Sequence, residues 1–272
     1  MRIAFQTALI AGGSRGLGRA IATKLAQEGV KKIAVHYHTR RDEAEKTLCQ
    51  VRNAGADGVL VQGDTSDAKR AAGIVEEAAD QLGGCDIFVQ SVVPTLDHIY
   101  EHTLATEVPL EKWQMAYDTQ ARAFFVGVPA AAKNMSKGGR IIALSYTPGG
   151  VTGGWQPWVG MGSAKAALES MCRYFAVALA RHGVTVNAVS PGVSDETTVI
   201  GQTPQEVQNA LKQWGESGWT PMRRRVHPQD IANVCALLCS EEASFVTGQT
   251  ITVDGGSSLM NPDFPLELQV PK

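Results

Sequence analysis

The chain has 272 residues, 44% of them hydrophobic and 19% charged, with a formal net charge of −2 at pH 7. That length suits one large α/β domain with a substantial core. The balanced charge excludes the basic face of a nucleic-acid or membrane-surface binder. Five scattered cysteines (Cys49, Cys85, Cys172, Cys235, Cys239) form no C-x-x-C pair and have no His or Cys partner at metal spacing. We read them as reduced core thiols of a cytoplasmic protein without a metal site. No apolar run reaches membrane-spanning length.

In chain order, TALIAG (7–12) is predicted as a buried strand and RGLGRAIATKLAQEG (15–29) as an amphipathic helix ending on Gly29. A strand over 31–37, a helix over 41–55, a strand over 58–64 and a helix over 67–82 follow. After a fourth strand, 85–91, comes an irregular segment, 92–110, and then one long helix to about Met135. The fifth strand is 139–145, the helix holding Lys165 runs to about His182, and the sixth strand is 183–190. A variable region, 194–226, precedes a helix over 228–239 and a last strand over 248–256. Strands alternating with helices mean a Rossmann-type, doubly wound parallel sheet covered on both faces, with the ligand at the carboxyl ends of the strands. We read one domain, 1–260, and a C-terminal tail, 261–272.

AGGSRGLG (11–18) places Gly12, Gly16 and Gly18 between a strand and a helix. The first glycine permits a tight turn, and the others let backbone approach a pyrophosphate at the positive helix end. At the end of the second strand, HYHTRR (36–41) has no carboxylate before Asp42. Arg15, Arg40 and Arg41 are instead placed to clamp a 2′-phosphate, so NADPH is expected rather than NADH. Asp64, after the third strand, is either an adenine acceptor or a helix cap. Lys165 sits among GSA and AAL, where a lysine is costly unless it binds something; nicotinamide ribose hydroxyls are the natural partner.

GGSRGLG, the lysine helix, NAVSPG (187–192) and ITVDGG (251–256) resemble the short-chain dehydrogenase/reductase family over nearly the whole chain. The resemblance implies a seven-stranded sheet, usually a homotetramer, and a dinucleotide held also by Ser14, Leu17, His38, Thr65, Ser91 and Val92. It further implies contacts from the loop after the sixth strand through Pro191, Gly192, Val193 and Thr197. The family's ketone reducers keep a tyrosine four residues before the lysine, where this chain has Met161, and often an asparagine where it has Thr119. VQSV (89–92), LSY (144–146) and MGSAKAALESMCRYFA (161–176) are more similar to enoyl-ACP reductases, whose tyrosine lies seven residues before the lysine. Trp158 occupies that position.

Positions 158, 161 and 165 fall on one helical face. An indole N–H donates a hydrogen bond but is no acid at neutral pH, so Trp158 suits an enoyl oxyanion and not a ketone's alkoxide. Tyr146, directly after the fifth strand, and Tyr100, in the loop after the fourth, are the competing donors, with pKa values lowered by the lysine. Met161, Val93 and Trp155 are expected to touch substrate. The reading is an NADPH-dependent enoyl thioester reductase acting on acyl-ACP or acyl-CoA in fatty acid synthesis. A carbonyl reductase with a displaced tyrosine and a catalytically silent nucleotide-binding protein are the alternatives. The region 194–226, with Trp214 and Trp219, reads as a substrate lid, and the tail as lying across a neighbouring subunit. MRRRV (222–226) is either a solvated or subunit-facing cluster or a contact for an acidic carrier protein.

Overall fold

Near-continuous apolar strands have no solvent-facing side, so they assemble only into a sheet buried on both faces. The computed structural model describes residues 3–135, 138–146, 154, 156–194, 205–216 and 220–260. Its elements in chain order are β1 (Thr7–Ala11), α1 (Gly16–Gln27), β2 (Lys32–Tyr37), α2 (Arg41–Asn53), β3 (Asp57–Gln62) and α3 (Ala68–Leu82). β4 (Ile87–Gln90), a single-turn α4 (Leu96–Ile99) and α5 (Leu110–Tyr117) come next. A π-helical turn (Asp118–Arg122) leads into α6 (Ala123–Ala132) and β5 (Gly139–Leu144). The last described α-helices and strands are α7 (Val159–Leu179), β6 (Val184–Pro191), α8 (Gln205–Glu216), α9 (Pro228–Cys239) and β7 (Thr250–Val253).

The seven strands are all parallel, in the order β3-β2-β1-β4-β5-β6-β7. Because side chains alternate along a strand, neighbouring residues feed opposite cores. Ile10, Val89 and Ile142 pack with α1 and α9, whereas Leu9, Phe88 and Ile141 pack with α3, α6 and α7. Among the described residues no helix is long and apolar enough to cross a membrane, and no cluster of His, Cys, Asp or Glu could hold a metal ion.

The expected elements are present with ends shifted by a few residues, with two differences. The segment predicted as irregular carries α4 and a 3-10 turn at Ala105–Glu107. The long helix predicted up to Met135 is interrupted by the π turn. There Thr119 Oγ1 donates to the Met115 carbonyl (2.6 Å) and Gln120 Nε2 to the Ala116 carbonyl (2.9 Å). These side chains compete with the amide ladder for the i−4 carbonyls, which loosens the helix at that point. Asp67, not Asp64, caps α3, accepting from the Arg70 amide at 2.7 Å. The Asp64 carboxylate accepts instead from the Ser66 amide (2.8 Å).

Gly16 and Gly18 answer to different constraints. A Cβ on Gly18 would lie 2.1 Å from the Gly12 carbonyl oxygen, a backbone atom with no rotamer to escape into. Gly16 has φ of +54° and open space where its Cβ would be. Gly18→Ala is therefore expected to lower Tm by several degrees, at about 2–4 °C per kcal/mol of overpacking in a chain of this size. Gly16→Ala is expected to fold, at a left-handed backbone cost of about 1–2 kcal/mol, while its methyl group obstructs the cleft. Thermal melts with a ligand-binding assay check both.

Candidate active site

The strand order reverses between β1 and β4, and a cavity of about 390 Å³ opens beyond their carboxyl ends. Gly12, at φ +78°, passes so close to β4 that a Cβ would sit 2.8 Å from the Ser91 carbonyl oxygen. The Ser91 amide in turn donates to Ala11 O at 2.9 Å. Ser14, Gly16, Leu17 and Gly18 continue the wall, with the N-terminus of α1 facing the cavity.

His38, Arg40, Asp64 and Thr65 line the next stretch of the cavity. Arg15 reaches the same place, and its buried Nη1 has no partner among the described residues. Its guanidinium pKa is lowered, by burial first and then by the like charge of Arg40, with Glu43 opposing. A cationic donor without a partner, beside a second arginine at a helix N-terminus, fits a phosphate. Arg41 does not join them. Its guanidinium bonds Glu45 one turn along α2 at 2.9 Å, outside the cavity wall.

At the opposite end lie Ser91, Val92, Val93, Leu144, Ser145, Tyr146, Trp158, Met161 and Lys165, faced by Pro191 and Gly192. Val193 is not on the wall; its carbonyl accepts from the Val226 amide at 3.1 Å. Trp155, Thr197, Trp219, the Trp214 side chain and the tail lie outside the described residues. Lys165 is 2% exposed and donates to the Leu144 carbonyl at 2.6 Å. Burial lowers its pKa to about 7 against the partial support of Glu169.

Trp158, 5% exposed, sits in a 3-10 turn just before α7. Its ring centroid is 5.9 Å from that of Tyr100 and 6.1 Å from that of Tyr146. Such pairs contribute about 0.5–1.5 kcal/mol each beyond their buried area. Tyr146 lines the cavity, whereas Tyr100 packs behind Trp158 in a cluster with Leu96, Ile99 and Met161. Lys112 fixes that loop by donating to the Tyr100 carbonyl at 2.7 Å and pairing with Glu101 at 2.8 Å. α5 holds the start of α7 through a Trp113 Nε1 bond to Ser163 Oγ, 2.9 Å. The expected lowering of the phenol pKa values does not occur. Burial raises Tyr100 and pushes Tyr146 up to about 12, with no opposing contribution from Lys165.

Among the residues of the site not singled out from the sequence are Ser145, Glu169 and His36. Ser145 Oγ donates to the Glu169 carboxylate, and His36 lies under the glycine turn. Ser145 stands inside the LSY motif, and Glu169 lies one turn beyond Lys165 on the same helix, so spacing could have found both. Thr119, at the family's asparagine position, lines the cavity.

The family model described as enoyl-(acyl carrier protein) reductase matches residues 11–258. The chain belongs to the short-chain dehydrogenase/reductase family. It is 34% identical over 263 residues to 1-cyclohexenylcarbonyl-CoA reductase of Streptomyces collinus, covering 95% of this chain and 89% of that protein. It is 33% identical over 255 residues to a 3-oxoacyl-(acyl-carrier-protein) reductase of Staphylococcus aureus, covering 92% and 97%. A short-chain alcohol dehydrogenase-like structure from Sinorhizobium meliloti superposes with a TM-score of 0.85 at 28% identity, covering 96% of this chain and 99% of the other. The protein is thus a nicotinamide-nucleotide-dependent oxidoreductase with a Rossmann-type sheet.

The Lys165 amine has a signature in stability. Its folded pKa of about 7 lies below the ordinary 10.5, so between those values the unfolded chain holds one more proton than the fold. Stability from this group therefore rises with pH across that window. Urea unfolding at several pH values should show the stability of wild type relative to Lys165→Met increasing from about pH 7 to about pH 10. A difference independent of pH would mean that the folded amine stays charged throughout.

Proposed function

We propose that the protein reduces the carbon–carbon double bond of an enoyl thioester, carried on acyl carrier protein or coenzyme A, with NADPH. The observation that carries this reading is the cavity wall itself, where Met161 and Trp158 stand on the approach to a buried Lys165. Ketone reduction requires an acid to protonate an alkoxide, and neither a thioether nor an indole supplies one at neutral pH. Enoyl reduction requires only a donor for the thioester oxygen, on which charge develops. The relatives named for CoA and acyl-carrier-protein substrates support an acyl thioester as the reacting group.

In this account Arg15 and Arg40 hold the 2′-phosphate, the N-terminus of α1 the pyrophosphate, and Lys165 the nicotinamide ribose. The bound reduced nicotinamide supplies the hydride to C3 of the substrate. The Trp158 N–H and the Tyr146 hydroxyl, which its raised pKa keeps protonated, receive the thioester oxygen as the C2=C3 electrons move toward it. Water then protonates C2, and the apolar side chains of Met161 and Val93 bound the acyl group. A second reading, carbonyl reduction with Tyr146 as a displaced acid, draws support from its place on the wall and from the 3-oxoacyl reductase relative. The pKa of about 12 makes that phenol a poor acid.

Phe125, Tyr174 and Val177 on α6 and α7 are 57%, 76% and 81% exposed, an apolar face that favours association into a homotetramer. Light scattering should give four chains for wild type and fewer for Phe125→Glu/Val177→Glu.

The expected outcome with purified protein is NADPH oxidation with crotonyl thioester, much slower oxidation with acetoacetyl thioester, and weak use of NADH. Trp158→Phe should lower kcat with crotonyl thioester by roughly 10²–10³, the usual effect of removing one oxyanion donor. Turnover of acetoacetyl thioester alone would replace this reading by the carbonyl one. NADPH binding without turnover of either substrate would favour a silent binding protein.

A further inference from the structure

His36 is the one charged or imidazole side chain that β2 turns inward, and it is 2% exposed, following the apolar run Ile33, Ala34 and Val35. Both of its ring nitrogens are engaged. The Gly12 amide donates to Nδ1 at 3.0 Å, and Nε2 stands 3.1 Å from the Gly63 carbonyl. A backbone amide can only donate, so Nδ1 carries the lone pair; a carbonyl can only accept, so Nε2 carries the proton. One neutral tautomer satisfies both contacts, and the neighbouring backbone groups fix it. The backbone of the same residue adds a third tie, the Gly13 amide donating to the His36 carbonyl at 3.0 Å.

These bonds join three pieces of the cofactor cleft. Gly12 begins the turn that leads to the α1 N-terminus, β2 runs on to His38 and Arg40, and Gly63 precedes Asp64 and Thr65. The bonds to His36 also consume the Gly12 and Gly13 amides, leaving phosphate recognition to amides further along the turn and to α1. We propose that His36 is a positioning residue for the dinucleotide. As a neutral imidazole it sets the spacing between the pyrophosphate turn and the pocket for the adenosine phosphate. The inference rests on the nucleotide reading of the cleft and is independent of whether a double bond or a carbonyl is reduced.

Geometry also dictates a pH response. A proton on Nδ1 would set two donors against each other at Gly12. The ring pKa is lowered to about 4, by burial first, with the Gly63 bond and the Asp64 charge opposing and with His38 and Arg70 adding to the lowering. The ring should therefore remain neutral through the range in which an ordinary histidine titrates.

Two measurements test the proposal. Long-range nitrogen–proton NMR of wild-type protein should show His36 as the neutral Nε2–H tautomer, unchanged as pH falls through about 6.5. A ring that titrates there, or carries its proton on Nδ1, would overturn it. Fluorescence titration with NADPH, alongside melting curves, should give at least a tenfold higher Kd for His36→Leu than for wild type. His36→Asn, whose amide offers an acceptor and a donor, should remain within about threefold. The KM for NADPH should rise in the Leu variant while kcat at saturating cofactor holds. Equal affinities for Leu and wild type, or an Asn variant as weak as Leu, would remove His36 from the binding machinery. A Leu variant that fails to fold leaves the NMR result and the Asn affinity to decide. Failure of wild type to bind NADPH would overturn both the cofactor assignment and the positioning role of His36, while the tautomer would still be read from the ring itself.

Discussion

A lysine taken out of water at the end of β5 organises the reactive half of this molecule. Among the described residues its amine has one close protein acceptor, the Leu144 carbonyl, and one nearby negative charge, Glu169. Removing an ammonium from solvent is expensive enough that the group either gains partners or loses its proton. Much of the local architecture serves that requirement. β5 delivers the carbonyl, α7 delivers both Lys165 and Glu169, and Glu169 also receives the hydroxyl of Ser145. Trp158 and Met161, on the same side of α7, close the apolar surroundings that keep the amine dry.

The other half of the cleft is governed by backbone rather than by charge. Gly12 approaches Ser91, and Gly18 approaches Gly12, at distances that no side chain allows. This packs the β1–α1 turn against the end of β4, at the place where the strand order reverses. The helix N-terminus, Arg15 and Arg40 then share one end of the cavity and Lys165 the other. A single dinucleotide spanning both ends, as proposed, would satisfy the orphaned Arg15 donor and the buried amine at once.

How much of this was legible in the sequence depended on whether a feature is local. Apolar runs broken by short polar turns revealed the sheet, because a parallel strand shows the same composition wherever it sits. The glycine turn and Lys165 were legible because each carries a cost that only a ligand or a close approach relieves. Arg41 was misplaced because a residue at the start of a helix answers to its own i+4 neighbour, Glu45, before it answers to a ligand. The π turn was hidden because AYDTQARAFF has ordinary helical spacing, and only side-chain bonds to the Met115 and Ala116 carbonyls break the ladder. Tyr100 looked like a wall of the cleft, but Lys112 draws its loop back and leaves the ring behind Trp158. His36 escaped notice because its role depends on Gly12 and Gly63, 24 and 27 residues away.

The enoyl reading rests on Met161 and Trp158, which put no acid at the family's two tyrosine positions, and on Tyr146, whose pKa is pushed up to about 12, while the Lys165 amine, at about 7, is engaged with the Leu144 carbonyl. Its most direct test traces where the transferred hydrogen goes. Protein supplied with NADPH deuterated at the transferring position and an equimolar mixture of crotonyl and acetoacetyl thioesters should yield butyryl thioester with deuterium at C3 and a solvent proton at C2. Deuterium found instead on the carbinol carbon of 3-hydroxybutyryl thioester would contradict it, and would mean that a tyrosine of this cleft acts as an acid despite its burial.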